Sequence, residues 1–278
     1  MNGAALAKQP INLMKYLRKM ITAITLGALA TGGAMAQKGS PRIIKVENPK
    51  MTVFLPPSSA ATGRAVVDLP GGGYSHLATG HEGFDWVPYF NGLGIAYAVV
   101  EYTFPKGNRE LPYNDAINAM KVMRDSAAVW GINPKDIGIM GSSAGGHLAT
   151  TVATHADSLT RPDFQILFYP VVSMKKDTTH GGSRKNLLGE TPSEEVVLEY
   201  SNELKVTPET PRAIMLLSDD DKTVIPANSI NYYQALHAAG VPASMIIYPT
   251  GGHGWGYKPQ FKYHDVMLEQ LKAWLQGF

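Results

Sequence analysis

The sequence predicts an α/β fold, a mostly parallel central sheet with helices on both faces. Three observations carry that reading. Short β-branched runs alternate with helix-like segments along the chain, as strand–crossover–strand units do. The run Ala65 to Leu69 is almost wholly apolar, which suits a strand buried on both faces. Glycine-rich turns follow several such runs, at the strand ends where α/β sheets bind ligands.

The elements follow in order. Ile43 to Val46 and Met51 to Leu55 open the fold as a hairpin, Ala65 to Leu69 leads into a glycine-rich loop, and Ile95 to Val100 is the next strand. Asn114 to Trp130 reads as one helix, because Ile117, Met120, Met123 and Ala127 recur at spacings of three and four. Ile137 to Met140 is a strand and Ala144 to His155 a helix. Phe164 to Tyr169 and Ala213 to Leu217 are strands, and Ser229 to Ala239 is a helix stopped at Gly240. Ser244 to Tyr248 is the last strand and Phe261 to Leu275 the closing helix. Between Val171 and Pro211 only Ser193 to Tyr200 looks helical. An irregular stretch of that length is usually a functional insertion over a site.

The chain has 278 residues, 44% of them hydrophobic, with 28 Gly and 19 Pro: a loop-rich globular composition. It has no Cys, which excludes thiol catalysis, thiolate metal sites, disulfides and a lipid anchor on cysteine. Residues 1–36 have the form of a signal peptide. Lys15, Arg18 and Lys19 precede the apolar run Met20 to Ala30, and Ala34-Met35-Ala36 gives a small-x-small cleavage pattern. The basic region starts late enough for Met14 to serve as the start codon. Removal of the leader takes Lys8 with the other three cations and moves the formal charge from +2 to −2. Nothing then points to nucleic acid or a membrane anchor, and export to the periplasm or the medium is expected. Residues 37–278 read as one catalytic domain with no separate lid domain.

Four local patterns carry chemistry. In Met140-Gly141-Ser142-Ser143-Ala144-Gly145-Gly146, Gly-x-Ser-x-Gly fits with Ser143 at its centre, after a strand and before a helix. Ser142 does not fit, because Met140 stands where a glycine is required. Pro70-Gly71-Gly72-Gly73-Tyr74 ends an earlier strand, where three glycines let backbone N–H groups face a ligand. Ser218-Asp219-Asp220-Asp221 follows the strand Ala213 to Leu217. Three adjacent aspartates cannot all be buried and charged, so at most one orients a histidine. Gly251-Gly252-His253-Gly254 follows the last strand, with glycines freeing the backbone to present one imidazole. The order Ser, Asp, His is that of α/β-hydrolases. His76, His81 and Glu82 match no zinc spacing and suit a hydrogen-bonding role, so neither metal nor cofactor is expected.

On these residues the chain resembles the secreted carbohydrate esterases of the α/β-hydrolase superfamily, the acetylxylan esterases and related feruloyl esterases. The resemblance runs from about Ala65 to Trp274. It includes the Pro70 to Tyr74 loop with His81-Glu82-Gly83, Trp130-Gly131-Ile132 and Gly141 to His147. It also includes Thr179 to Arg184 with Asn186 to Gly189, Asn228-Ser229 with Tyr232-Tyr233, and the His253 motif. It implies Ser143 as nucleophile, His253 as general base and Asp221 as the orienting acid, three residues before Val224, with Asp220 as the fallback. It implies oxyanion donors at the N–H of Ala144 and of Gly72 or Gly73. Two positions depart from the family: Ser142 where a bulkier residue is common, and Ile225 between Val224 and Pro226.

The implied activity is deacetylation of xylan-type plant polysaccharide or oligosaccharide through an acyl-enzyme on Ser143. Alternatives are a feruloyl or general short-chain esterase, an arylformamidase-like amidase, and an inactive carbohydrate-binding relative. A glycosidase would need a carboxylate pair that no motif places. Tyr74, Tyr169, Trp255 and Tyr257 flank the site elements, and Tyr74 and Trp255 are expected to present ring faces to sugar. Arg184 would bind a substrate hydroxyl or pin the insertion.

Overall fold

In the computed structural model, which describes residues 21–23 and 41–278, the apolar runs become the inner strands of one sheet. The strands are β1 (Ile21–Ala23), β2 (Arg42–Glu47), β3 (Lys50–Leu55), β4 (Ala65–Leu69), β5 (Ala96–Val100), β6 (Ile137–Ser142), β7 (Phe164–Phe168), β8 (Arg212–Ser218) and β9 (Ala243–Tyr248). Their order across the sheet is β1-β2-β3-β5-β4-β6-β7-β8-β9. The first three strands and the β3–β5 pairing are antiparallel, and every pairing from β5 to β9 is parallel. The leader expected at residues 1–36 lies outside the described residues, apart from the three of β1.

Strands β4 to β7 are buried at every position, as parallel strands covered on both faces must be. Alternate residues feed two cores. Val67, Ala98, Ile139, Leu167 and Met215 face helices α2 (Glu110–Asp125), α4 (Ala144–His155) and α7 (Ala227–Ala238). Val66, Tyr97, Ile166, Phe168 and Ile214 face α1 (Val87–Gly92) and the closing helix α8 (His264–Leu275). The carboxyl ends of β4, β6, β8 and β9 therefore open on one rim, and the four chemical motifs follow those four ends.

Three expectations about elements are corrected. The helix expected over Asn114 to Trp130 starts at Glu110 and breaks at Ser126 into α2 and the short α3 (Ala127–Trp130), which closes on Gly131 at φ 73°. The insertion holds a helix besides α6 (Glu194–Glu199), namely α5 (Gly181–Leu188). Its Gly-Gly start hides it, but the His180 side chain accepts a hydrogen bond from Ser183 N–H and supplies the cap. The closing helix begins at His264, because Phe261 is held flat against Trp255 with ring centroids 4.0 Å apart.

Candidate active site

The turn from β6 into α4 holds Ser143 at φ 53°, ψ −120°, a left-handed conformation that an L-residue keeps only under local constraint. The constraint comes from hydrogen bonds on both sides. Ser143 N–H donates to Phe168 O at 3.0 Å, and Ser143 O accepts from Val171 N–H at 3.0 Å. Gly141 and Gly145 are required by contact: a Cβ on Gly145 would strike Leu69 O, and one on Gly141 would strike Gly145 O. Ser142 is fully buried in the sheet, so only its neighbour reaches the rim.

His253 bridges the serine and one aspartate. The Ser143 hydroxyl donates to Nε2 at 2.8 Å, and Nδ1–H donates to Asp221 Oδ2 at 2.6 Å. The tautomer follows from the carboxylate, which can only accept. Asp221 is 3% exposed, and its other oxygen accepts from Thr223 N–H at 2.8 Å and Val224 N–H at 3.0 Å. Asp220 is exposed and touches the histidine's loop instead, accepting from Gly252 N–H at 2.7 Å. The extra Ile225 before Pro226 does not keep Asp221 from the imidazole.

The glycine loop lies against the serine. Gly72 and Gly73 have φ of +135° and +62°, and Gly73 O accepts from Asn186 Nδ2 at 2.8 Å. Gly71 N–H is committed to Glu82 Oε2 at 2.9 Å. Among the described residues the N–H groups of Gly72, Gly73 and Ala144 donate no hydrogen bond, so all three remain available to a ligand oxygen. A serine with base and acid, beside N–H donors at a helix N-terminus, can attack a carbonyl carbon and hold the resulting oxyanion.

One buried carboxylate ties the glycine loop to the histidine loop. Glu82 is 3% exposed, and while Oε2 holds Gly71, Oε1 accepts from Tyr169 O–H at 2.7 Å. The Tyr169 oxygen accepts in turn from Gly256 N–H at 2.8 Å, and its ring stands edge-on to the His253 imidazole at 4.7 Å. Tyr169 and Glu82 are 87 residues apart, so no sequence pattern pairs them. Glu82→Gln keeps the size but puts an NH2 where an acceptor is needed. It is expected to lower kcat about ten- to a hundredfold with KM nearly unchanged, the scale of one buried charged hydrogen bond. An equal fall in kcat and rise in KM would contradict that role.

The two expected sugar platforms are corrected. Tyr74 is 2% exposed, and its hydroxyl donates to His147 Nδ1 at 2.9 Å. Trp255 is 4% exposed, donates from Nε1 to Ser218 Oγ at 3.0 Å and stacks on Phe261. Both polar tips find interior partners, so neither ring offers a face to substrate. Arg184 donates from Nε to Met174 O at 3.0 Å and so pins the insertion.

His147 sits below the elbow on α4, and its Nε2–H donates to Tyr200 O at 2.8 Å. Burial pushes its pKa down to about 4 from 6.5. Unfolded chains bind this proton below about pH 6.5 and the folded chain does not, so stability falls as pH drops through that window. Between pH 7 and pH 4 the wild type should lose about 3 kcal/mol more than His147→Gln in urea unfolding. Equal losses would show that the group does not carry this dependence.

The strand order, the turn at Ser143 and the hydrogen-bonded triad define the class, an α/β sheet bearing a hydrolase-type site at its carboxyl rim. Residues 71–256 match the family described as the alpha/beta hydrolase fold. The chain is 41% identical over 261 residues to an acetylxylan esterase of Xylanibacter ruminicola, a match covering 92% of this chain and 54% of that protein. It is 31% identical over 201 residues to endo-1,4-beta-xylanase B of Butyrivibrio fibrisolvens, covering 67% of this chain and 31% of that one. The solved acetyl ester-xyloside bifunctional hydrolase of Caldicellulosiruptor lactoaceticus superposes with a TM-score of 0.77 at 32% identity, covering 82% of this chain and 87% of that one. The chain thus belongs to the α/β-hydrolase fold family. It spans about half the length of the first curated relative and about a third of the second.

Proposed function

We propose that this chain is a serine esterase that removes acetyl groups from xylan-type polysaccharide or oligosaccharide. The observation that carries the proposal is the Ser143–His253–Asp221 hydrogen-bonded line beside unpaired N–H groups. The likeness to an acetylxylan esterase supports the substrate class. In the reaction, Ser143 Oγ attacks the ester carbonyl as His253 Nε2 takes its proton. The developing oxyanion is held by the N–H of Ala144 and of Gly72 or Gly73. The C–O bond to the sugar breaks, and the leaving oxygen receives the proton from His253. Water, deprotonated by the same imidazole, then frees acetate from Ser143. Asp221 holds the tautomer and stabilises the imidazolium without taking the proton.

Tyr74 and Trp255 are buried and offer no ring face on which a feruloyl group could stack, which favours a small acyl group. The test is a product assay on acetylated and on feruloylated xylan, using protein recovered after export, whose N-terminus the leader pattern puts at Gln37. Acetate with little ferulate is the expected result. Ferulate as the main product would replace this reading with that of a feruloyl esterase. Neither product from folded protein would overturn both.

A further inference from the structure

The insertion between β7 and β8 places a second histidine at the site. His180 stands immediately before α5, and α5 is docked on the glycine loop by the Asn186 bond to Gly73 O. A Cβ on Gly73 would come 3.9 Å from His180 Cε1, so the imidazole borders the loop that offers the oxyanion donors. It is also close enough to the triad for the charges of His253 and Asp221 to act on it. Two groups fix its tautomer. Nδ1 accepts from Ser183 N–H at 3.2 Å and lies 2.8 Å from Ser183 Oγ. A backbone N–H can only donate, so the ring proton of the neutral form sits on Nε2. Burial and the neighbouring His253 hold its proton affinity below the ordinary histidine value, which keeps that neutral donor form.

Nε2 has no partner among the described residues and is not sealed from solvent, whereas Arg184 Nε is committed to Met174 O within the insertion and Asn186 Nδ2 to Gly73 O of the glycine loop. An acetyl group has no acceptor besides the carbonyl oxygen that the oxyanion donors take. The hydroxyl oxygens beside the ester on the sugar are acceptors in want of a donor.

On the esterase reading above, we propose that His180 is a specificity-determining residue whose Nε2–H binds a sugar hydroxyl next to the acetylated position. The geometry gives the enzyme a way to select polyhydroxylated esters over simple acetates.

The experiment compares kcat/KM on an acetylated xylo-oligosaccharide with kcat/KM on 4-nitrophenyl acetate, for wild type and His180→Asn. Asparagine keeps an N-cap acceptor for Ser183 N–H but cannot place a donor where Nε2 stands. The ratio of the two values should fall about five- to tenfold in the variant, the scale of one hydrogen bond. An unchanged ratio, whether both activities fall together or neither falls, would overturn the proposal. A wild type that cleaves 4-nitrophenyl acetate but no sugar acetate would instead overturn the substrate reading on which it rests. On wild-type protein, titration with deacetylated xylo-oligosaccharide should shift the imidazole nitrogen resonances of His180 in NMR spectra. Resonances unmoved at saturation would also contradict the proposal.

Discussion

Ser143→Ala is expected to lower turnover of an acetylated xylo-oligosaccharide by a factor on the order of a million, because members of such a triad act as one unit. The hydroxyl is the only group at the elbow that can form the acyl bond, since Ser142 is buried in the sheet. Alanine can take the same place in the turn, whose φ of 53° is held by the Phe168 and Val171 hydrogen bonds and not by the hydroxyl. The variant should therefore fold, and its circular dichroism and unfolding midpoint should match the wild type. A variant that kept tens of percent of wild-type turnover would remove Ser143 from the mechanism.

The second large effect is expected at Asp221. In Asp221→Asn, the oxygen facing Thr223 and Val224 N–H must remain an acceptor, so the amide carbonyl stays on that side. The NH2 then faces His253 Nδ1, where a carboxylate oxygen now accepts. The imidazole must turn Nδ1 into an acceptor and carry its proton on Nε2, which leaves no base for Ser143. A loss of about ten-thousandfold in kcat follows from a wrong tautomer of this kind. Asp220→Asn keeps a carbonyl oxygen for Gly252 N–H at an exposed site and should cost no more than about threefold. Steady-state kinetics on the two variants decide the matter, and the reverse ranking would move the acid to Asp220.

Much of this site was legible in the sequence because each triad residue lies just beyond a strand's carboxyl end. β4 and α4 match their expected bounds, since a run apolar at every position but Asp68 and a Gly-flanked serine leave little freedom there. What escaped depends on partners distant in the chain or on the direction of a side chain. Tyr74 and Trp255 were legible as aromatic and not as buried, because only the fold shows His147 and Ser218 waiting for their polar tips. Glu82 showed as a structural carboxylate, but its joint hold on Gly71 and Tyr169 needs three segments brought together. Helix α5 begins with two glycines and is capped by a histidine, a combination that reads as loop until the cap is seen. The break at Ser126 has no Gly or Pro to announce it, as the residue itself keeps helical dihedrals.

The most direct test of the central claim is to treat the enzyme with a serine-directed phosphonate and measure acetate release from acetylated xylo-oligosaccharide while mapping the adduct by peptide mass spectrometry. One phosphonyl group per chain is expected, on Ser143, with acetate release falling in proportion to its occupancy. An enzyme that goes on releasing acetate with Ser143 fully modified would contradict it.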